Sequence, residues 1–396
     1  MTLHDDAARL QPELVELRRR LHRIPEPGFD LPLTQRAVLD AIDGLGLEIT
    51  TGSDLSSVTA VLRGATDGPS VLLRGDMDAL AIVEETGLEY ASANGAMHAC
   101  GHDLHVAGLV GAARLLAGRR DRIAGSVVFM FQPGEEAGGG APLMIRDGVL
   151  DAAGTRVEAA YGIHVGPGAC GTFQLKSGTI MAGANVLRVR VHGRGGHGSR
   201  PQQAVDPVPV VAELILALQS WVTRRIDVFD PVVLSVTTLY AGEITNVIPE
   251  DAGFAATLRT LSEASIAQAQ VELPPLIERI AAAHGCTADV EVIVGYPVTV
   301  NTVEETAAAA AVLRAEFGED RVEEIDAPWM ASEDFSFVLR EVPGTFLFLC
   351  ATPPDVDQDD IPMNHSPHAR FDDAVLGDQA AALAALAWRH VGVGDA

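Results

Sequence analysis

Asn185-Val-Leu-Arg-Val-Arg-Val191 is the stretch on which the fold turns, because apolar and polar residues alternate there as in a strand with one buried face. Either side of it the chain reads differently. Upstream, apolar runs at 57–63, 71–74 and 127–132 alternate with helical patterns at 10–21, 34–45 and 103–116, the rhythm of an α/β domain around a central sheet. The opening helix stops at Pro25-Glu-Pro-Gly28. Downstream come a Gly-rich turn, a helix at 207–223, two strands, a helix at 263–284 and a strand at 288–294. Strand, helix, two strands, helix, strand is the order of a ferredoxin-like split motif. The α/β pattern then resumes with a helix at 304–317, a strand at 344–350 and a helix at 374–390. The expected architecture is an α/β central-sheet domain formed by residues 1–182 and 296–396, with a ferredoxin-like α+β domain, 183–295, inserted between its halves.

A chain of 396 residues exceeds one compact core, which agrees with two domains. Hydrophobic residues make up 47% and charged residues 21%, without an 18-residue apolar run or a basic-then-apolar leader, so a soluble cytoplasmic protein with no membrane partner is expected. The formal charge of −26 and the lack of a basic patch argue against nucleic acid as a partner. The four cysteines, Cys100, Cys170, Cys286 and Cys350, lie far apart in no paired motif, which suits a reducing compartment; the last three read as small core residues.

The chemistry concentrates in a few short stretches. His98-Ala-Cys100-Gly-His102-Asp103 gathers a thiol and two imidazoles just before a helix, as half a metal site would. A lone Cys-x-His is more often a core thiol beside a satisfied histidine, but His98, Asp103 and His105 weigh against that here. Upstream, Asp76 and Asp78 close a strand and suit the orienting of ligand imidazoles, or form a solvated strand end. Glu135 and Glu136 follow the apolar run that ends at Gln132-Pro-Gly134. Such a pair is usually an exposed turn; set at a strand end, one carboxylate can bind metal while the other moves a proton. His164 and His365 stand in what read as loops.

Arg74-Gly-Asp-Met-Asp-Ala-Leu80, Met97-His-Ala-Cys-Gly-His-Asp-Leu-His105, Gln132-Pro-Gly-Glu-Glu-Ala137, Gly162-Ile-His164, Gly195-Gly-His-Gly-Ser-Arg-Pro201, Asn246-Val-Ile-Pro249 and Asn364-His-Ser366 together resemble the dinuclear metallopeptidase family of aminoacylases and carboxypeptidase G. They are most similar to its amidohydrolase branch, which includes hippurate hydrolase, N-acyl-amino-acid amidohydrolases and auxin-conjugate hydrolases. The likeness runs through nearly the whole chain, from Leu21-His-Arg-Ile-Pro-Glu-Pro-Gly-Phe29 onward. It implies two divalent metal ions on Cys100, His102, Glu136, His164 and His365, with Cys100 between them, and Glu135 as general base and acid. Zinc, manganese, cobalt or nickel would suit such a mixed N/O/S set. The peptidase branches carry His where Asp76 stands and Asp near Cys100, so this chain resembles the amidohydrolases more.

The resemblance also gives roles in the inserted domain, which would serve as a lid and dimerisation unit. His197 is otherwise a surface-loop histidine; by resemblance it steadies the tetrahedral oxyanion and, in dimeric relatives, reaches the other subunit's site. Asn246 would hold substrate or oxyanion. Arg259, otherwise a solvated strand charge, would pair bidentately with a substrate carboxylate. Glu333 and Asp334 read as supporting residues. The implied activity is hydrolysis of the amide of an N-acyl amino acid by a homodimer, with an open form when substrate is absent. The rivals are a dipeptidase or aminopeptidase, and a metal-dependent binding protein without turnover.

Overall fold

In the computed structural model, which describes residues 2–357 and 360–394, the chain forms two compact units. The first comprises 1–180, 300–327 and 334–396; the second comprises 181–299 and 328–333. Positions 1, 395 and 396, at the ends of the expected outer domain, lie outside the described residues.

The first unit is built on an eight-stranded sheet in the order Glu48–Thr51, Val58–Arg63, Ala124–Gln132, Thr66–Asp76, Ala159–Gly166, Gly344–Cys350, Phe173–Leu175, Val322–Glu324. The four strands Ala124–Gln132, Thr66–Asp76, Ala159–Gly166 and Gly344–Cys350 are mutually parallel. Apart from the exposed start of Thr66–Asp76, which is buried only from Ser70 onward, their side chains are almost wholly buried, which is why they read as continuous apolar runs rather than alternations. Helices Leu3–His22, His102–Ala117 and Leu376–Val391 pack with one another beside this sheet. Small residues permit that closeness: a Cβ on Gly108 would lie 2.6 Å from Gln379, and one on Gly111 would lie 2.6 Å from the Ala380 methyl. Chemistry-bearing loops in such a fold collect where parallel strands end.

The second unit is a four-stranded antiparallel sheet in the order Val233–Ala241, Asp251–Thr260, Gly183–His192, Thr287–Tyr296. Numbered by chain order that is 2-3-1-4, the ferredoxin-like arrangement expected from the sequence. Leu187, Val189 and Val191 alternate inward with Phe254, Ala256 and Leu258, and share a core with Leu214, Leu218 and Trp221 of helix Pro207–Arg225 and Leu273 and Ile277 of helix Glu263–Ala283. Both helices start on a side-chain cap, Asp206 accepting from the Val208 N–H and Ser262 from the Ser265 N–H.

Two local expectations are corrected. His164 stands on the strand Ala159–Gly166, buried, rather than in a loop. Cys170 is exposed, whereas Cys286 and Cys350 are buried as expected.

Candidate metal centre and active site

Four chain segments, each at or beyond the C-terminal end of a central parallel strand, bring their side chains together. After Thr66–Asp76 comes the loop of Cys100, leading into the helix that begins at His102. After Ala124–Gln132 comes the turn of Glu135 and Glu136. His164 lies near the end of Ala159–Gly166, and the chain beyond Gly344–Cys350 carries His365 in a turn. Gly101, between Cys100 and His102, adopts φ +83°, and a Cβ there would lie 2.3 Å from Val165 Cγ2. Only glycine satisfies both demands.

Donor atoms of Cys100, His102 and His164 lie within 4.8 Å of one another, as do those of Cys100, Glu136 and His365, and those of His102, Glu135 and Glu136. Cys100 is thus common to two clusters. The histidine tautomers are set by their outer nitrogens. His102 Nδ1 donates to the Asp78 carbonyl at 2.8 Å and His164 Nδ1 donates to the Val165 carbonyl at 2.7 Å, so each ring, when neutral, presents its Nε2 lone pair. Although burial alone would lower it, the Asp76 carboxylate holds His102 well above the usual imidazole range. His164 Nε2 is 3.5 Å from Cys100 Sγ, and His365 Nε2 is 2.9 Å from Glu136 Oε1.

These residues fit divalent cations. His102 Nε2 is buried and makes no hydrogen bond, with only the Asp76 carboxylate 3.2 Å away, a state that is costly unless another group completes it. Burial holds His164 well below the usual imidazole range, leaving it neutral as a ligand must be. The Cys100 sulfur and then the Glu136 carboxylate push His365 up to about 10, which marks a place where positive charge is favoured.

The surrounding hydrogen bonds hold the donors in place. Asp78 accepts the Glu135 N–H with one oxygen and the Glu136 N–H with the other, both at 3.0 Å. Its carboxylate therefore orients the carboxylate-bearing turn, while its carbonyl orients an imidazole. Asp76 takes the Nδ1 proton of His105 at 2.5 Å, and His105 Nε2 accepts the Val165 N–H at 2.8 Å. His105 thus has both nitrogens engaged and no lone pair left for a metal. Arg74 ties Asp76 to Asp334, which also accepts from Gln132 and the Ala141 N–H. His98 is buried with both ring nitrogens unpaired, and burial pushes it down to about 3.

A second network beneath the Cys100 loop is absent from the sequence reading. Arg18 Nε and His22 Nδ1 both reach Asp103 Oδ2 at 2.7 Å; Arg18 also holds Tyr90 and Asp373, and His22 Nε2 lies 3.2 Å from Glu84. The available signal was Arg18 and His22, four residues apart within the buried stripe of Leu14, Leu17 and Leu21.

Of the predicted residues in the second unit, His197 and Asn246 are brought together. His197 pairs with Val247 in a short two-stranded ladder, and the Asn246 carbonyl accepts the Gly198 N–H at 2.8 Å. His197 is exposed, and its Nδ1 accepts the Ser199 N–H at 3.1 Å, which leaves the proton on Nε2 in the neutral ring. Arg259 stands apart on the strand Asp251–Thr260, half-buried, donating to Ser332 Oγ at 3.1 Å.

Comparison with known proteins gives a consistent picture. Residues 72–389 match the peptidase family M20/M25/M40. The chain is 36% identical over 353 residues to thermostable carboxypeptidase 1 of Saccharolobus solfataricus, covering 88% of each chain. It is 36% identical over 342 residues to N-acetyl-L-cysteine deacetylase of Bacillus subtilis, covering 86% of this chain and 80% of that one. With hippurate hydrolase of Campylobacter jejuni it shares 34% identity over 393 residues, or 99% and 100% of the two chains. Among solved structures it is similar to the YXEP protein of Bacillus subtilis, described as a dinuclear metal-binding peptidase, with a TM-score of 0.82, 30% identity, and 96% and 98% of the two chains covered.

Proposed function

The chain belongs to peptidase family M20/M25/M40, and from that premise we propose that it hydrolyses the amide bond of N-acyl amino acids, releasing a carboxylic acid and a free amino acid. The observation that carries this reading is Cys100 shared by two donor clusters with Glu135 beside them. Its relatives N-acetyl-L-cysteine deacetylase and hippurate hydrolase point to the same substrate class.

Cys100, His102, Glu136, His164 and His365 would hold two divalent ions, zinc or manganese being suited to this thiolate, imidazole and carboxylate set. When bound, the ions supply Lewis acidity toward the attacking water and the scissile carbonyl. Glu135, buried and fixed through its backbone by Asp78, takes the proton from the water and delivers it to the leaving amine. His197 offers its Nε2 proton to the oxyanion of the tetrahedral intermediate, Asn246 supports that loop, and Arg259 receives the substrate carboxylate.

The protein acts as a homodimer formed through the second unit. Among the described residues the strand Val233–Ala241 of that unit pairs on one side only, with Val233, Leu239 and Tyr240 exposed and Phe229 94% exposed in the preceding turn, an apolar edge suited to a second copy. Four free cysteines support a cytoplasmic location, and among the described residues no helix is long and apolar enough to cross a membrane.

The test is product release, followed by mass spectrometry, from N-acetyl, N-benzoyl and indole-acetyl amino acids and from unblocked dipeptides, with metal-stripped and manganese- or zinc-loaded protein. Metal-dependent cleavage of the blocked substrates is expected. Cleavage confined to free dipeptides would replace this reading with a peptidase.

A further inference from the structure

We propose that Asn364 is a positioning residue for the metal centre, one amide that registers three of the five proposed ligands and donates directly to the Cys100 sulfur. The proposal rests on the metal-binding reading above. Asn364 Nδ2 lies 3.6 Å from Cys100 Sγ, 3.4 Å from the Cys100 carbonyl and 3.3 Å from the Val165 carbonyl. All three neighbours are acceptors, so the amide nitrogen must face them, and its two N–H groups are shared among them. The Val165 carbonyl is also the group that takes the Nδ1 proton of His164 at 2.7 Å. A single side chain therefore touches both the thiol ligand and the acceptor that fixes the tautomer of an imidazole ligand.

The third ligand is its neighbour in sequence. His365 has φ +70°, and among the described residues it is the only one other than glycine with positive φ. A residue with a Cβ persists in that region only when its surroundings over-determine it. The clamps are visible: the His365 N–H donates to the Ala99 carbonyl at 2.9 Å, and Asn364 is tied to Cys100 and Val165. The left-handed turn at His365 aims its ring at Glu136, and Asn364 is the side chain that anchors this turn to the two other ligand-bearing segments. An N–H donated to a metal-bound thiolate also withdraws electron density from sulfur, so Asn364 tunes the ligand as well as placing it.

Cobalt(II) reports on both effects, because a cobalt-bound thiolate gives a sulfur-to-metal charge-transfer absorption whose energy follows the electron density on sulfur. The full-length protein is stripped, titrated with cobalt, and compared with Asn364→Ala and with Asn364→Asp, which keeps the shape but offers no N–H at neutral pH. Cys100→Ser identifies the band. Both Asn364 variants are expected to bind cobalt about 10–100-fold more weakly. At saturation their band should move to longer wavelength. Folding of each variant is checked by circular dichroism; if Asn364→Ala fails to fold, Asn364→Asp alone decides. Wild-type affinity and band position in a folded variant would overturn the proposal. Weaker binding with an unmoved band would overturn the sulfur contact and leave only the loop anchor. Absence of the band from wild-type protein would overturn the metal-site reading itself, which separates the two failures.

Discussion

At the scale of single residues, Glu135 and Gly101 carry the sharpest consequences. Glu135 is assigned proton transfer and no metal, so Glu135→Gln should lower kcat by about 10²–10⁴-fold while metal content stays at the wild-type level. Elemental analysis beside steady-state kinetics decides it; a variant that retains near wild-type turnover would remove Glu135 from the mechanism. Gly101→Ala places a methyl at φ +83° and 2.3 Å from Val165 Cγ2, between two proposed ligands. It should cost more than about 1 kcal/mol of stability and weaken metal binding, as measured by denaturant unfolding and calorimetry. Every donor in the three clusters is a residue that the motifs singled out, because a thiol, imidazoles and paired carboxylates are conspicuous in a chain rich in Gly and Ala. The tautomers were not legible. They depend on which carbonyl meets each Nδ1: the Asp78 carbonyl lies 24 residues before His102, and the Val165 carbonyl, though next to His164 in sequence, meets its ring only through the local backbone and rotamer geometry.

At the scale of elements, the opening helix does more than cover the sheet. Arg18 and His22 sit in its buried face and reach Asp103, the residue after His102, so this helix fixes the start of helix His102–Ala117. Arg18→Met would leave the Asp103 carboxylate buried without its guanidinium, a loss of roughly 3–5 kcal/mol by the usual cost of breaking a buried pair. Although burial alone would lower it, the Asp103 carboxylate beside His22 raises that imidazole above its ordinary value. A raised folded-state value gives stability that is fully present below the unfolded value of about 6.5 and is lost as pH rises through the folded value. The stability difference between metal-free wild type and His22→Gln should therefore be at its full size below the unfolded value of about 6.5 and shrink as pH rises, by urea unfolding across a pH series. A difference that grows with pH would contradict the pairing. The sequence missed both this network and the strand under His164. A central strand buried on both faces has no alternation to read, and Ala159-Ala-Tyr-Gly-Ile-His-Val-Gly166 is interrupted by Gly162 and closed by Gly166. A charge in an apolar helical stripe is visible in sequence, but its partner is a matter of tertiary packing.

At the scale of the whole molecule, the α/β class of the first unit and the ferredoxin-like element order of the second follow from patterns legible in the chain, since the switch from α/β rhythm to alternation at 185–191 marks the second unit. The order of the eight strands in the first unit's sheet does not, because it depends on pairings between distant segments. The segment 328–333, which groups with the second unit, has no such mark, because it is short and contains neither a regular helix nor a strand. The proposed dimer belongs to this scale. Phe229→Asp with Leu239→Asp places charge on the exposed apolar edge and should convert a dimer to a monomer in sedimentation velocity, whereas an unchanged dimer would place the interface elsewhere.

The central claim is that Cys100 and the four donors around it hold two divalent ions which hydrolysis of N-acyl amino acids requires, and metal-stripped protein titrated with manganese or zinc, with bound metal and turnover followed together, tests it most directly. Two ions per chain are predicted, with amide hydrolysis rising as they load and with Cys100→Ser losing both; full turnover in protein shown to be free of metal, or a wild-type chain saturating at fewer than two ions, would contradict it.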